Sequence, residues 1–131
     1  MSLLTSIESL RVLVVEDSVL NQTLLKGLLA VRDCTVTVAV NGQEAVDELS
    51  KATFDLILMD VQMPVMDGLT ATKLIRDQED RGNRRTPIVA VTAGIDRQTC
   101  LDAGMDDHLS KPVRSALLDE ILSQVRSAIG E

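Results

Sequence analysis

"FDLILMDVQMPVMDG", Phe54 to Gly68, joins two patterns that rarely meet. All of residues 54–59 but Asp55 carry side chains suited to a buried strand, and the run then closes on the carboxylate of Asp60. Pro64, Asp67 and Gly68 follow, residue types that end a strand, turn the chain and begin a helix. Near-continuous apolar runs suit parallel strands covered on both faces. The stretch therefore reads as a central strand that delivers a charged residue to the edge of a sheet.

The same alternation extends to both sides. "RVLVVE" (11–16), "CTVTVAV" (34–40), "PIVAVTA" (87–93) and "DHLSK" (107–111) are expected strands, and 18–31, 42–52, 69–81, 96–104 and 114–129 have helical spacing. Ser18 and Asp67 are candidate N-caps, and Gly104 is a helix stop. Asn41-Gly42 resembles a hairpin turn, but a period of 3.6 follows it, so it is read as a strand-to-helix turn. The last helix is expected to turn Leu117, Leu118, Ile121, Leu122, Val125, Ala128 and Ile129 toward the core. Arg81, Arg84 and Arg85 read as a solvated loop. The alternation defines an α/β fold, an open doubly wound sheet, whose ligands bind outside the carboxyl ends of the strands.

Composition narrows the partners. With 131 residues, 45% of them hydrophobic, the chain has enough material for one core and too little for two. Residues 1–10 are read as a leader or linker and 11–131 as the domain, "MSL" being consistent with a piece cut from a longer protein. A net charge of -7 repels phosphate backbones, and one Phe with no Trp or Tyr leaves almost no ring for a base to stack on. Direct nucleic-acid binding is not expected. Cys34 and Cys100 lack metal-knuckle or disulfide-scaffold spacing and are expected to be reduced, packed thiols. No apolar run reaches the roughly 18 residues of a membrane span, and "MSLLTSIESL" lacks the basic start of a signal peptide. No membrane association and a cytoplasmic location are expected.

The expected strand ends carry Glu16 and Asp17, Asp60, Thr92 and Lys111. Singly, each has an ordinary explanation in capping, a loop start, β propensity or solvation. Together they form a set. Two carboxylates about 4 Å apart repel by roughly 4 kcal/mol at an effective dielectric of 20, so three in one pocket require a cation or protons. All-oxygen ligands suit Mg²⁺, which is commonly completed by phosphate. In phosphoryl transfer Asp60 can be the nucleophile, forming an aspartyl phosphate, with Glu16 and Asp17 holding the metal and Thr92 and Lys111 as donors.

With "VVED", "LILMDVQMPVMDG", "VAVTA" and "LSKP" in order, the chain from about Arg11 to Ile129 resembles the receiver domain of two-component response regulators. The resemblance implies a flavodoxin-like five-stranded sheet of order 2-1-3-4-5 with five helices. It implies that Asp60 accepts a phosphoryl group from a phosphohistidine on a histidine kinase or phosphotransfer domain. Asp17 would bind Mg²⁺ directly, Glu16 through water, and Gln62 through its carbonyl. Thr92 and Lys111 would contact phosphoryl oxygens, and the Lys111–Pro112 peptide would be cis. Such a domain is not a conventional enzyme, although it assists its own phosphorylation and autodephosphorylation. Its output would be a shift in the surface of the fourth helix, fifth strand and fifth helix.

The chain departs from the family pattern at a few positions. Glu16 stands where many members have Asp. His108 replaces the usual Phe or Tyr of the switch coupled to Thr92, and is either a switch beside small Ala93 or a surface imidazole. Gly94 and Gln62 occupy positions that tune phosphate lifetime. Asn21 in "EDSVLNQ", with "MPVMDG" and "CLDAGMDDHLSKP", most resembles receivers of hybrid histidine kinases, which would place kinase domains on the same polypeptide. Three rivals are weighed. A dehalogenase-type phosphatase needs a second Asp at the position of Gln62. A mononucleotide binder needs a phosphate loop after residues 11–16, and an inactive receiver would not require the complete set.

Overall fold

The computed structural model describes residues 9–80 and 85–130. The elements alternate as β1 (Leu10–Val15), α1 (Val19–Ala30), β2 (Cys34–Ala39), α2 (Gly42–Lys51), β3 (Leu56–Met59), α3 (Gly68–Glu79), β4 (Ile88–Thr92), α4 (Arg97–Asp102), β5 (Asp107–Ser110) and α5 (Ser115–Gly130). The strands form one five-stranded sheet in the order β2-β1-β3-β4-β5, every pair parallel. This is the expected flavodoxin-like order. The leader expected at the start, except Ser9 and Leu10, and Arg81 and Arg84 lie outside the described residues; Arg85 is exposed and ion-paired to Asp106 at 2.6 Å.

The period-2 geometry of the strands divides the core in two. Val12 and Val14 pack with Leu25 and Leu29 of α1 and Leu118 and Leu122 of α5. Leu13 and Val15 face the other way, toward Ala45 of α2, Ala71 and Ile75 of α3, and Cys100 of α4. The sheet is thus covered on both sides, which is why β3 and β4 are buried at every residue.

Caps set the helix starts. The side chains of Ser18, Asn41, Asp67 and Asp96 each accept from the backbone N–H three residues on, satisfying a donor the helix itself leaves free. Asn41-Gly42 is therefore a strand-to-helix turn. Gly104, at φ 108, follows the C-cap Ala103 in the left-handed conformation that glycine adopts without penalty. The broad apolar face expected of α5 is narrower: Leu118, Ile121, Leu122 and Val125 are buried, whereas Leu117, Ala128 and Ile129 are exposed. Seven such positions span a wider arc than one sheet face covers.

β3 ends at Met59, so Asp60 is the first residue beyond the strand and not its last. Its N–H nevertheless continues the ladder to Val15 O at 2.9 Å, as Glu16 N–H does to Ala39 O at 3.0 Å and Lys111 N–H to Thr92 O at 3.1 Å. The register pairs Val15 with Met59 and Met59 with Ala90. Glu16, Asp60 and Lys111 lie one step past β1, β3 and β5, and Thr92 is the last residue of β4, so these residues collect along the carboxyl edge.

Candidate functional site

Glu16 and Asp60 are buried beside each other at the ends of β1 and β3, and Asp17 is exposed at the mouth. One carboxylate oxygen from each lies within 4.8 Å of the others. Even at that limit, two carboxylates repel by about 3.5 kcal/mol at an effective dielectric of 20. Lys111 offsets part of this, with Nζ 2.8 Å from Glu16 Oε1 and 3.1 Å from Asp60 Oδ2. One ammonium against three carboxylates leaves a negative site of oxygen donors, suited to a hard divalent cation.

The protonation equilibria reflect this imbalance. Burial raises Glu16 above its ordinary 4.5; Lys111 and the Ser18 N–H draw it back in part, and the Asp60 charge adds to the rise. Burial alone would lower Lys111, but hydrogen bonds and charge from Glu16 and Asp60 place it above its ordinary 10.5.

Further anchors hold the carboxylates. Ser18 N–H donates to Glu16 Oε2 at 3.1 Å and Gln62 N–H to Asp60 Oδ1 at 3.3 Å. Thr92 is 1% exposed, and its hydroxyl has no hydrogen-bond partner among the described residues. A buried hydroxyl left unpaired costs roughly 1–3 kcal/mol, which a ligand oxygen would recover. The Lys111–Pro112 peptide is cis. Ala93 and Gly94 follow β4 and are exposed. His108 sits in β5, half-buried, with Nε2 buried and unpartnered among the described residues. Hydrogen bonds from Thr99 hold the α4 cap Asp96 below its ordinary 3.8, and the His108 charge contributes a smaller pull.

Two supporting residues escaped the sequence reading. Gln22 donates through Nε2 to Glu16 O at 2.7 Å. Gly68 backs onto the acceptor loop: a Cβ there would sit 2.1 Å from Asp60 O, and its N–H donates to Val61 O at 2.9 Å. A glycine just after the cap Asp67, where a better helix former would serve, was the available sign of a close approach.

The two cysteines are free and burial raises both thiols above 9.0, so neither offers a reactive thiolate near neutrality. Among the described residues, no helix is long and apolar enough to cross a membrane.

A parallel sheet of this order with an acidic cluster at its carboxyl edge is the arrangement that the resemblance to receiver domains implies. The profile described as the response regulator receiver domain matches residues 12–123, and the chain belongs to that family. Hybrid signal transduction histidine kinase A of Dictyostelium discoideum is 42% identical over 119 residues, covering 87% of this chain and 6% of the kinase. The chain thus spans a small part of the relatives it matches. The receiver domain of a Pseudomonas aeruginosa sensor histidine kinase, solved with magnesium coordinated in its active-site cleft, has TM-score 0.82 and 41% identity over 91% of this chain and 98% of that one. A Saccharomyces cerevisiae response regulator receiver, solved with its histidine phosphotransfer protein, has TM-score 0.83 and 35% identity over 92% of this chain and 90% of that one.

Proposed function

We propose that Asp60 is the phosphoacceptor of a histidine-to-aspartate phosphorelay, acting within a response regulator or a hybrid histidine kinase. The observation that carries this reading is the meeting of Glu16, Asp17 and Asp60 within 4.8 Å, with Lys111 in contact with two of them. Glu16, Asp17, Asp60 and the Gln62 carbonyl would hold Mg²⁺. When bound, the ion would supply positive charge that offsets the carboxylates and the charge of the phosphoryl group.

An Asp60 carboxylate oxygen attacks phosphorus; the P–N bond to the donor imidazole breaks as the P–O bond forms, and the leaving nitrogen is protonated. Lys111 and the Thr92 hydroxyl then donate to the phosphoryl oxygens. Water attack at phosphorus later breaks the acyl phosphate P–O bond, releasing inorganic phosphate and regenerating Asp60; Gln62 and Gly94, both exposed, are the positions expected to tune that loss.

The donor is a protein bearing phosphohistidine, on a histidine kinase or a phosphotransfer domain. Val19, Leu20 and Leu24 leave α1 with an exposed apolar face. A groove of about 460 Å³ on this side is lined by Leu24, Leu25, Leu28, Lys111, Pro112 and Val113, suited to a protein surface and not to a small phosphate ester. The domain would act in the cytoplasm, where free thiols such as Cys34 and Cys100 persist.

Output follows from Thr92 moving toward the new oxygens and His108 changing its packing on the α4–β5–α5 surface. Reversing a 1:99 equilibrium takes about 5.5 kcal/mol, and charge-assisted hydrogen bonds of about 1.5–3 kcal/mol each provide a large share.

The test is incubation with Mg²⁺ and acetyl phosphate, read by intact mass. One phosphoryl group should be added, be removed by hydroxylamine, and be absent from Asp60→Asn. Phosphorylation of Asp60→Asn to the wild-type extent, or sustained turnover of unrelated phosphate esters, would overturn the reading.

A further inference from the structure

We propose that Gln22 is a positioning residue for the cation site: its side-chain amide holds the peptide joining Glu16 to Asp17 and thereby aims the Asp17 carboxylate at Glu16 and Asp60. The proposal rests on reading the acidic cluster as a Mg²⁺ site.

The three carboxylates are held in different ways. Glu16 is fixed by the Ser18 N–H and Lys111, and Asp60 by the Gln62 N–H and Lys111. Asp17 is exposed, and its carboxylate makes no hydrogen bond or ion pair among the described residues. Its direction therefore depends on its backbone. The peptide between Glu16 and Asp17 lies one residue past β1. Gln22 Nε2 donates to its carbonyl oxygen at 2.7 Å, and because a peptide is planar, holding that oxygen orients the plane from which Asp17 departs.

Gln22 is itself a firm anchor. Its backbone N–H donates to Ser18 O at 2.9 Å in the first turn of α1, and Leu25 and Leu29 bury the same helix against the sheet. The amide thus carries the rigidity of the core to a loop whose acid has no other side-chain partner among the described residues. Site geometry set by supporting hydrogen bonds is a general feature of metal centres.

The experiment is Mg²⁺ titration by calorimetry of wild type, Asp17→Ala, Gln22→Met and Gln22→Asn, each paired with urea unfolding in EDTA. Gln22→Met keeps the side chain's length without its donor, and Gln22→Asn keeps a donor too short to reach. Both are expected to weaken Mg²⁺ binding roughly three- to tenfold, the effect of one hydrogen bond. The half-saturating Mg²⁺ for acetyl phosphate labelling should rise by the same factor, with the rate at saturating Mg²⁺ within about twofold of wild type.

A purely structural role would lower the urea midpoint and leave the affinity of the folded protein unchanged, which overturns the proposal. Wild-type Mg²⁺ affinity in either folded Gln22 variant does so as well. If wild type binds no Mg²⁺, or Asp17→Ala binds it equally well, the cation-site reading fails and the proposal with it. A fall in Asp17→Ala without a fall in the Gln22 variants defeats the positioning role alone.

Discussion

Gly68→Ala places one methyl group where the acceptor loop leaves no room. The added Cβ would lie 2.1 Å from Asp60 O and 3.0 Å from Met59 Cγ. An ordinary C···O contact is about 3.3 Å, so the two backbones must separate by about 1.2 Å. The neighbouring atom is main chain, which cannot swing aside as a side-chain tip can. Overpacking of this kind costs about 1–3 kcal/mol. It also strains the bond from Gly68 N–H to Val61 O, which closes the loop at 2.9 Å. Displacement of a reacting group by about 1 Å can reduce rate a hundredfold. Urea unfolding should therefore show a loss of about 1–3 kcal/mol, and Asp60 labelling by acetyl phosphate should slow by about two orders of magnitude.

Gly27→Ala is the matched control. Gly27 lies inside α1 with nothing within 4 Å of the added Cβ, so the change should stabilise by about 0.5–1 kcal/mol through helix propensity and leave labelling unchanged. Wild-type stability and labelling rate in Gly68→Ala would refute the close-approach argument.

Lys111→Met leaves Glu16 and Asp60 without their cation and should cost about 3 kcal/mol at neutral pH, measured by urea unfolding with EDTA present. Lys111 has a raised folded pKa, so its contribution is complete below 10.5 and is lost as pH rises through the folded value; the gap between wild type and variant should close in that alkaline range. Glu16, also raised, contributes stability below 4.5 that fades as pH climbs through its folded value. Protonating it should narrow the gap on the acid side, and a gap independent of pH would contradict the assignment. Arg76→Met removes a guanidinium that donates to Thr86 O and Gly104 O, each at 2.8 Å, and contacts Glu79 at 2.6 Å and Asp106 at 2.7 Å. It should destabilise by about 3 kcal/mol, because Glu79 and the two carbonyls lose a shared donor; a loss below about 1 kcal/mol in urea would show the network to be weak.

Most of the architecture was legible because it depends on local rules. Continuous apolar runs at 12–15 and 56–59 required a sheet covered on both faces, Ser18 and Asp67 marked helix starts by the need of a free N–H for an acceptor, and the 3.6 period after Asn41-Gly42 marked a third. The ends of the strands pointed to Glu16, Asp17, Asp60, Thr92 and Lys111, since parallel sheets collect their chemistry at one edge. The resemblance of "VVED" and "LSKP" to a family then supplied the strand order and the cis peptide, which periodicity alone does not specify.

Other features depend on atoms brought together from distant parts of the chain. The element order, the two-sided burial of β3 and the identity of the residues at the sheet's edge follow from the order of residues along the chain. Packing between elements is what brings Lys111 to Glu16 and Asp60 together, Gln22 to the Glu16 carbonyl, and Gly68 against Asp60. It likewise left Leu117 and Ile129 outside the core that their helical spacing had promised. Periodicity states which face of an element is apolar, whereas a hydrogen bond or a close approach is settled by a few tenths of an ångström between elements, a distance that no local pattern encodes.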